Sequence, residues 1–444
     1  MLSDPIVALA TPPGRGALAL IRLSGRGAFD VAARVLRPFH PDPPRVVFRT
    51  RVHHPTSGDA IDDLLAACFP GPRSYSGEDL VEVSTHGGLL VPAEVVAAFA
   101  AAGARPALPG EFTRRAVLNA KMDLLQAEAT ADLIDAGAPA QRRRALQQLD
   151  RGLSGRLDAL RSEILELEAL LAYDIDFPEE DEGPVSEERV HRAWRRARDR
   201  IARLLDTAPE GERLHDGALV VIAGPPNAGK SSLFNALLGR ERAIVTEIPG
   251  TTRDAIEAQT AIEGFPFRLV DTAGLRDSDD RVERIGIEVT RRYLAAADLV
   301  LYCEDREAGG REQFLAACRV PVVFVWTKAD LEPVAGTGAE LIRVSVVTGE
   351  GIAELKHRLA QTAFGRLVGL GDVEPVVTRE RHRAALEGAL AELDAFTAAR
   401  GQGLEVAVAA THLRAAVGAL DDLIGAVTPE DVLDRVFASF CVGK

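Results

Sequence analysis

The segment ALVVIAGPPNAGKSSLFNALLG, residues 218–239, constrains the fold of this chain more than any other stretch of it. An apolar run, Ala218 to Ala223, leads into Gly224. The match to GxxxxGK[ST] closes on Lys230 and Ser231, and a helix-forming run follows. Strand, glycine loop and helix in that order are what a phosphate-binding loop needs, because glycines let backbone N–H groups approach phosphate oxygens and the helix start adds a favourable dipole. Asn227, Ala228, Gly229, Lys230, Ser231 and Ser232 are therefore candidate nucleotide contacts. Lys230 is placed to reach the β and γ phosphates, and the Ser231 hydroxyl to ligate Mg²⁺. Read blandly, the segment is only a glycine-rich turn.

Three later segments fall in the order that a guanine-nucleotide site requires. GTTRD, residues 250–254, lies where a switch loop belongs, with the Thr252 hydroxyl and carbonyl available to Mg²⁺ and the γ phosphate. DTAG (Asp271, Thr272, Ala273, Gly274) ends the apolar run FRLV, which predicts Asp271 beside the metal and the Gly274 amide near the γ phosphate. TKAD (Thr327, Lys328, Ala329, Asp330) follows VVFVW, and a carboxylate there can accept two hydrogen bonds that guanine offers and adenine does not. Thr327 stands where Asn is usual. VSVVTGEG then resembles a guanine O6 loop, in which Ser345 fits and Val346 and Val347 depart from the usual residues. Each tetrapeptide alone is an ordinary turn; their order carries the reading.

Residues 1–118 mix short strands (IVALA, ALALIRLSG, LLAACF, DLVEVS) with turn clusters, an α+β pattern. Residues 119–215 and 366–444 read as helical, with Ser186 as a helix cap, and 216–365 alternate strand and helix as a parallel sheet requires. The expected architecture is multidomain α/β: an N-terminal α+β domain, a discontinuous helical domain, and a Ras-like G domain with a phosphate loop inserted into it. The run Ala93 to Ala104 reads as a buried helix.

At 444 residues the chain exceeds one core. Its net charge of −14 argues against a broad electrostatic surface for RNA, so a local patch or a more basic partner would have to hold any nucleic acid. Cys68, Cys303, Cys318 and Cys441 form no CxxC pair and read as reduced thiols, consistent with a cytoplasmic location. No signal peptide is evident, and no uninterrupted apolar run of about 18 residues predicts a membrane span.

The residue after DTAG is Leu275, which cannot orient a water as the Gln of small signalling GTPases does. An arginine finger (Arg253 or Arg276) or a monovalent cation near the Asn227 side chain are the alternatives.

GPPNAGKSSLFNALLGRERAIVTEIPGTTRD and DTAGLRDSDDRVERIGIE resemble the tRNA modification GTPase family known as MnmE or TrmE. The resemblance runs from IVALATPPGRGALALIRLSG, through FPGPRSYSGEDLVEVSTHGG and PGEFTRRAVLNAKMDLLQAEATADLIDA, to FASFCVGK. It implies K⁺ held by Asn227, Thr246, Ile248 and Thr251, within a switch stretch that also includes Glu247, Pro249 and Gly250. It implies that Glu283 orients the catalytic water; read alone, Glu283 is a solvated carboxylate. It further implies a tetrahydrofolate one-carbon donor (5-formyl or 5,10-methylene) at a dimer interface, contacted by Arg22, Glu82, Lys121 and Lys444. Without the resemblance, Arg22 and Glu82 read as a surface ion pair and Lys121 as a solvated helix start. Cys441 is a candidate catalytic thiol, or a tail thiol with no special purpose.

The implied assembly is a homodimer working with an FAD-dependent partner of the MnmG (GidA) type, as a heterotetramer or larger. Its implied product is an aminomethyl or carboxymethylaminomethyl group on C5 of the wobble uridine in certain tRNAs. Two rivals are a ribosome-assembly GTPase without tRNA chemistry and a folate-dependent methyl or formyl transferase with a regulatory nucleotide domain.

Overall fold

Ile21 and Leu23 are buried while Arg22 between them is only partly so, and this two-residue alternation organises the N-terminal sheet. The computed structural model describes residues 4–176, 186–239, 244–245, 256–271, 292–305, 314, 316, 318–331, 341–370, 375–425, 430–438 and 440–443. Two compact units result: Met1–Ala131 with Asp421–Lys444, and Asp132–Leu420.

The first unit holds seven strands: β1 (Ile6–Leu9), β2 (Gly14–Ser24), β3 (Leu36–Arg37), β4 (Phe48–His53), β5 (Ala60–Phe69), β6 (Leu80–Gly88) and β7 (Arg105–Pro106). Their order is β3-β4-β5-β6-β2-β1-β7, antiparallel except for β1 with β7. Helices α1 (Ala28–Val35) and α2 (Leu90–Ala101) share a core with Ile21, Leu23, Val81 and Val83 on one face. The Ala-rich run expected as a helix is α2, with Val95, Ala98 and Phe99 buried. On the other face α3 (Glu111–Leu118) sets Phe112 against Ile6 and Ala8.

The chain's last stretch returns to this unit. In α13 (Glu430–Ala438) Leu433 and Phe437 pack with Leu124 and Phe440, and Val442 bridges Pro109. The segment 421–444 falls in the same compact unit as the N-terminal strands, its apolar side chains packing on Leu124 and Ala127 at the start of the helical stretch.

The second unit holds the other sheet, in the order β14-β13-β12-β8-β11-β10-β9. β8 (Ala218–Ala223) is central and fully buried. It runs parallel to β11 (Phe265–Asp271) on one side and β12 (Leu299–Glu304) on the other. β13 (Val322–Trp326) and β14 (Leu341–Arg343) continue the parallel half. β10 (Ile256–Ile262) and β9 (Ile244–Val245) are antiparallel additions beyond β11. Helices α9 (Lys230–Leu238) and α10 (Ile352–Leu370) cover one face through Leu233, Leu237, Leu355 and Leu359.

The remaining described helices are α4 (Leu124–Asp135), α5 (Pro139–Leu149), α6 (Gly152–Asp176), α7 (Glu187–Leu205), α8 (Ala208–Asp216), α11 (Glu380–Gly401) and α12 (Val406–Ile424). The helices before and after the sheet pack on each other: Trp194 of α7 donates its indole N–H to the Leu393 carbonyl of α11 at 2.8 Å. The Val377 amide donates to the Thr207 hydroxyl at 3.0 Å. Gly211 lies so close to Val377 that an added Cβ would come within 2.0 Å of its carbonyl oxygen. Ser186 does sit at the N-cap of α7, but its hydroxyl makes no capping bond; its carbonyl instead accepts from Arg189 and Val190. Among the described residues, no helix is long and apolar enough to cross a membrane.

Candidate functional site: a phosphate loop tied to a base-reading segment

Because β8 is flanked by parallel strands, its C-terminal end opens mid-sheet, where α/β folds place ligands. Gly224 leaves the strand at φ +139°, and an added Cβ would stand 2.1 Å from the Cys303 carbonyl oxygen of β12, so no side chain fits. Asn227 is left-handed at φ +64°, a conformation Asn tolerates better than most residues. Gly229, also left-handed, caps α9. The loop therefore curls back toward the helix start, and its shape follows from these three positions.

Lys230 is only 7% exposed. Its Nζ donates to the carbonyls of Gly224 (3.1 Å) and Pro225 (2.7 Å), which holds the ammonium over the curl. Ser231 and Ser232 are exposed in the first turn of α9. Asp271, 3% exposed, ends β11 in register with Ile222 of β8, which brings its carboxylate to the loop's base. Burial pushes the neighbouring Cys303 thiol up to about 12; Lys230 opposes the rise and Asp271 adds to it. Cys303 is thus a packing residue and not a reactive thiolate.

The segment Thr327–Asp330, expected from its sequence to read the base, follows β13. The buried Thr327 hydroxyl lies 2.7 Å from the Ala228 carbonyl and 3.1 Å from that of Glu304. A single hydroxyl proton serves the shorter bond best. Lys328, left-handed at φ +56°, donates from Nζ to the Asn227 carbonyl at 2.7 Å and to Asp305 Oδ2 at 2.6 Å. Asp330 is exposed, and its Oδ1 accepts from the Ser345 hydroxyl at 2.6 Å. That hydroxyl in turn accepts from the Thr348 amide at 3.1 Å. Val346 and Val347 sit on the exposed rim beside it, Val347 at 85%. Ala329 is buried, its amide donating to the Val344 carbonyl.

Asn227, Ala228, Gly229, Lys230, Asp271, Thr327, Lys328, Asp330 and Ser345 are thus brought together, although the motifs span more than a hundred residues. Thr246, Glu247, Ile248, Pro249, Gly250, Thr251, Thr252, Thr272, Ala273, Gly274, Glu283 and Lys444 lie outside the described residues. Sequence reading missed Asp305, whose signal was only an acidic residue closing the apolar run LVLYCE.

In the other unit Arg22 and Glu82 face each other in the β2–β6 register and pair through Nε and Oε1 at 2.8 Å. The Arg22 guanidinium also lies 5.1 Å from the centroid of the Tyr75 ring. Two residues on, Gly77 presses on Lys121: an added Cβ would meet its Cγ at 3.1 Å. One turn therefore touches both Arg22 and Lys121. The Cys441 carbonyl accepts from the Gly110 amide at 3.3 Å, and its side chain is exposed. Gly443 lies against Leu9, whose neighbour Ala8 is in register with Arg22.

Behind this face is a charge cluster that the sequence did not announce. Arg115, 1% exposed, donates to Glu78 (3.0 Å), Glu111 (2.9 Å) and Asp4 (3.1 Å). Arg105 joins it through Glu111 at 2.6 Å. Burial alone would raise the Glu111 carboxyl, but the Arg105 hydrogen bond, the Leu108 amide and Arg115 outweigh it and hold the group down at about 2.

Comparison with known proteins decides the family. The MnmE helical domain family matches residues 124–441, and the GTP-binding protein TrmE N-terminus family matches residues 5–121. The tRNA modification GTPase MnmE of Methylobacterium radiotolerans is 45% identical over 100% of this chain and 99% of its own length. That of Moorella thermoacetica is 40% identical over the full length of both. The chain belongs to the MnmE family. By that membership it is a GTP hydrolase. Thermus thermophilus MnmE is 43% identical over 100% of this chain and 99% of its own length. Among solved structures, the G domain of the Thermotoga maritima FeoB iron transporter is 30% identical over 33% of this chain and 98% of that one, with a TM-score of 0.27. The two family matches together span the N-terminal unit and the residues of the phosphate loop.

Proposed function

We propose that this protein is a potassium-dependent GTPase that, with an FAD-dependent flavoprotein partner, adds a (carboxymethyl)aminomethyl group to C5 of the wobble uridine of certain tRNAs. The one-carbon unit comes from a tetrahydrofolate derivative. The observation that carries this reading is full-length identity of 38–45% to proteins named tRNA modification GTPase MnmE, joined to an intact phosphate loop and base-reading segment.

The chain's residues take the following parts. Amides from Asn227 to Ser231 and the Lys230 ammonium surround the β and γ phosphates. Ser231 and Asp271, oxygen donors at the helix start and at the end of β11, suit Mg²⁺. The left-handed, exposed Asn227 presents an amide oxygen of the kind that suits K⁺, with Thr246, Ile248 and Thr251 completing the set and Thr252 on Mg²⁺. K⁺ when bound supplies positive charge between the β and γ phosphates. Glu283 orients the attacking water. Asp330, aimed by Ser345, reads guanine N1 and N2. Since the Ser345 amide already donates to the Glu350 carbonyl, the amide for guanine O6 comes from Val346 or Val347.

In the N-terminal unit Glu82 pairs with the donor edge of a pterin, while Arg22, Lys121 and Lys444 meet carboxylates. A homodimer carries the folate site at its interface, and tRNA contact is shared with the flavoprotein. Cys441 stands near this centre as a candidate thiol.

The test is nucleoside mass analysis of tRNA from a strain lacking this protein, with and without a Lys230→Ala copy. Loss of the modified uridine, restored by the wild-type copy and not by the variant, is expected. Unchanged nucleosides would sink the tRNA reading and favour the ribosome-assembly alternative. Hydrolysis measured in KCl and NaCl tests the cation; equal rates would remove it.

A further inference from the structure

The two peptide groups at the crown of the phosphate loop are both held from the base-reading segment. Thr327 holds the Ala228 carbonyl, and Lys328 holds that of Asn227. What holds Lys328 is Asp305, the residue after β12, at 2.6 Å and with its side chain 18% exposed. Lys328 itself is 40% exposed and has a long flexible stem, so its ammonium would sample many positions without a fixed counter-charge. Asp305 sits on the backbone that continues from Glu304, whose carbonyl accepts the Thr327 amide at 2.8 Å. Its carboxylate is therefore carried directly off the end of a central strand.

We propose that Asp305 is a positioning residue for the GTPase reaction: through Lys328 it fixes the left-handed turn at Asn227 and so the direction of the Asn227 side chain. The physical reason is the geometry of the tie. Asn227 stands at φ +64°, a left-handed conformation that lies above the right-handed well for a non-glycine residue, although Asn tolerates it better than most. Rotation back to that well would swing the Asn227 carbonyl off the Lys328 ammonium. The charge-assisted bond thus opposes relaxation, and the bond is strong only while Asp305 keeps the ammonium in place. Nucleotide base recognition and the phosphate-loop oxygen are linked through one lysine, and the linking charge belongs to neither motif.

This inference rests on the proposed role of Asn227 as a K⁺ ligand for one of its two readouts. The experiment is Asp305→Asn in the full chain, with Asp305→Glu as the conservative control. Two quantities are measured: the K⁺ concentration for half-maximal GTP hydrolysis, and the affinity for fluorescent GDP in Na⁺ buffer.

The expected result for Asp305→Asn is a rise of about 5- to 10-fold in the half-activating K⁺ concentration, from weakening one charge-assisted bond. Turnover recovers at saturating K⁺, and GDP affinity falls by a similar factor. Asp305→Glu restores part of both, and the midpoint of thermal unfolding stays within about 2 °C of wild type. Unchanged half-activation and unchanged GDP affinity would overturn the proposal. So would a loss of activity that saturating K⁺ does not recover, accompanied by a falling unfolding midpoint, since that is a folding defect. If wild type shows no K⁺ dependence at all, the K⁺ reading fails by itself. GDP affinity then decides the clamp: weaker binding by Asp305→Asn keeps it, and equal binding removes it.

Discussion

The Thr327 hydroxyl lies 2.7 Å from the Ala228 carbonyl, so the residue that departs from the usual Asn makes the backbone tie to the phosphate loop itself. The departure is therefore not a loss. A β-branched hydroxyl buried at 3% exposure reaches the loop, and the Gly229 position leaves it room, since an added Cβ there would stand 3.6 Å from Thr327.

Thr327→Ala removes that donor and leaves a buried carbonyl unserved, at a cost of about 1–3 kcal/mol. GDP affinity is expected to fall roughly tenfold, while Thr327→Ser retains most of it. Fluorescence titration with a labelled nucleotide checks this; equal affinity for Ala and Thr would show that the tie is idle.

Asp330→Asn exchanges an acceptor pair for a mixed donor and acceptor. GTP affinity should drop by on the order of 10- to 100-fold, and xanthosine triphosphate should become a competitive substrate. Competition assays with both nucleotides decide it. The same variant also weakens the bond from Ser345, so a Ser345→Ala control with a smaller loss separates aiming from recognition.

Glu111 makes stability pH-dependent. Its carboxyl is depressed to about 2, below the usual value near 4.5, so its contribution is present in full above pH 4.5 and is lost as pH falls toward 2. The shift corresponds to about 3 kcal/mol. Glu111→Gln should therefore destabilise the protein by about 3 kcal/mol or more at neutral pH, because Arg115 and Arg105 lose their buried partner. The gap between variant and wild type should narrow in urea unfolding below pH 4.5. A gap that stays constant from pH 7 to 3 would contradict the assignment.

Arg22→Ala tests the N-terminal site. It removes the guanidinium between Glu82 and the Tyr75 ring, and the expected outcome is at least a tenfold loss of 5-formyltetrahydrofolate affinity by calorimetry. The pair is partly solvated, so stability should change by about 1 kcal/mol or less. Full retention of folate binding would return Arg22 and Glu82 to the status of a strand ion pair.

The sequence alone determined what depends on local backbone rules. Gly224, Asn227 and Gly229 declare a phosphate loop because their conformations are short-range demands, and the alternation around Arg22 declares a strand with one wet face. Only the tertiary structure decided the rest. Ser186 has the chemistry of a cap yet its hydroxyl does not cap. The chain's last stretch buries Leu433, Phe437 and Phe440 against Leu124 and Ala127, some three hundred residues earlier in the chain. Lys328 with Asp305, and Arg115 with Asp4 and Glu78, join residues far apart in the chain. Periodicity says which face of an element is buried; it does not say which charge stands opposite, because that is settled by strand order and register.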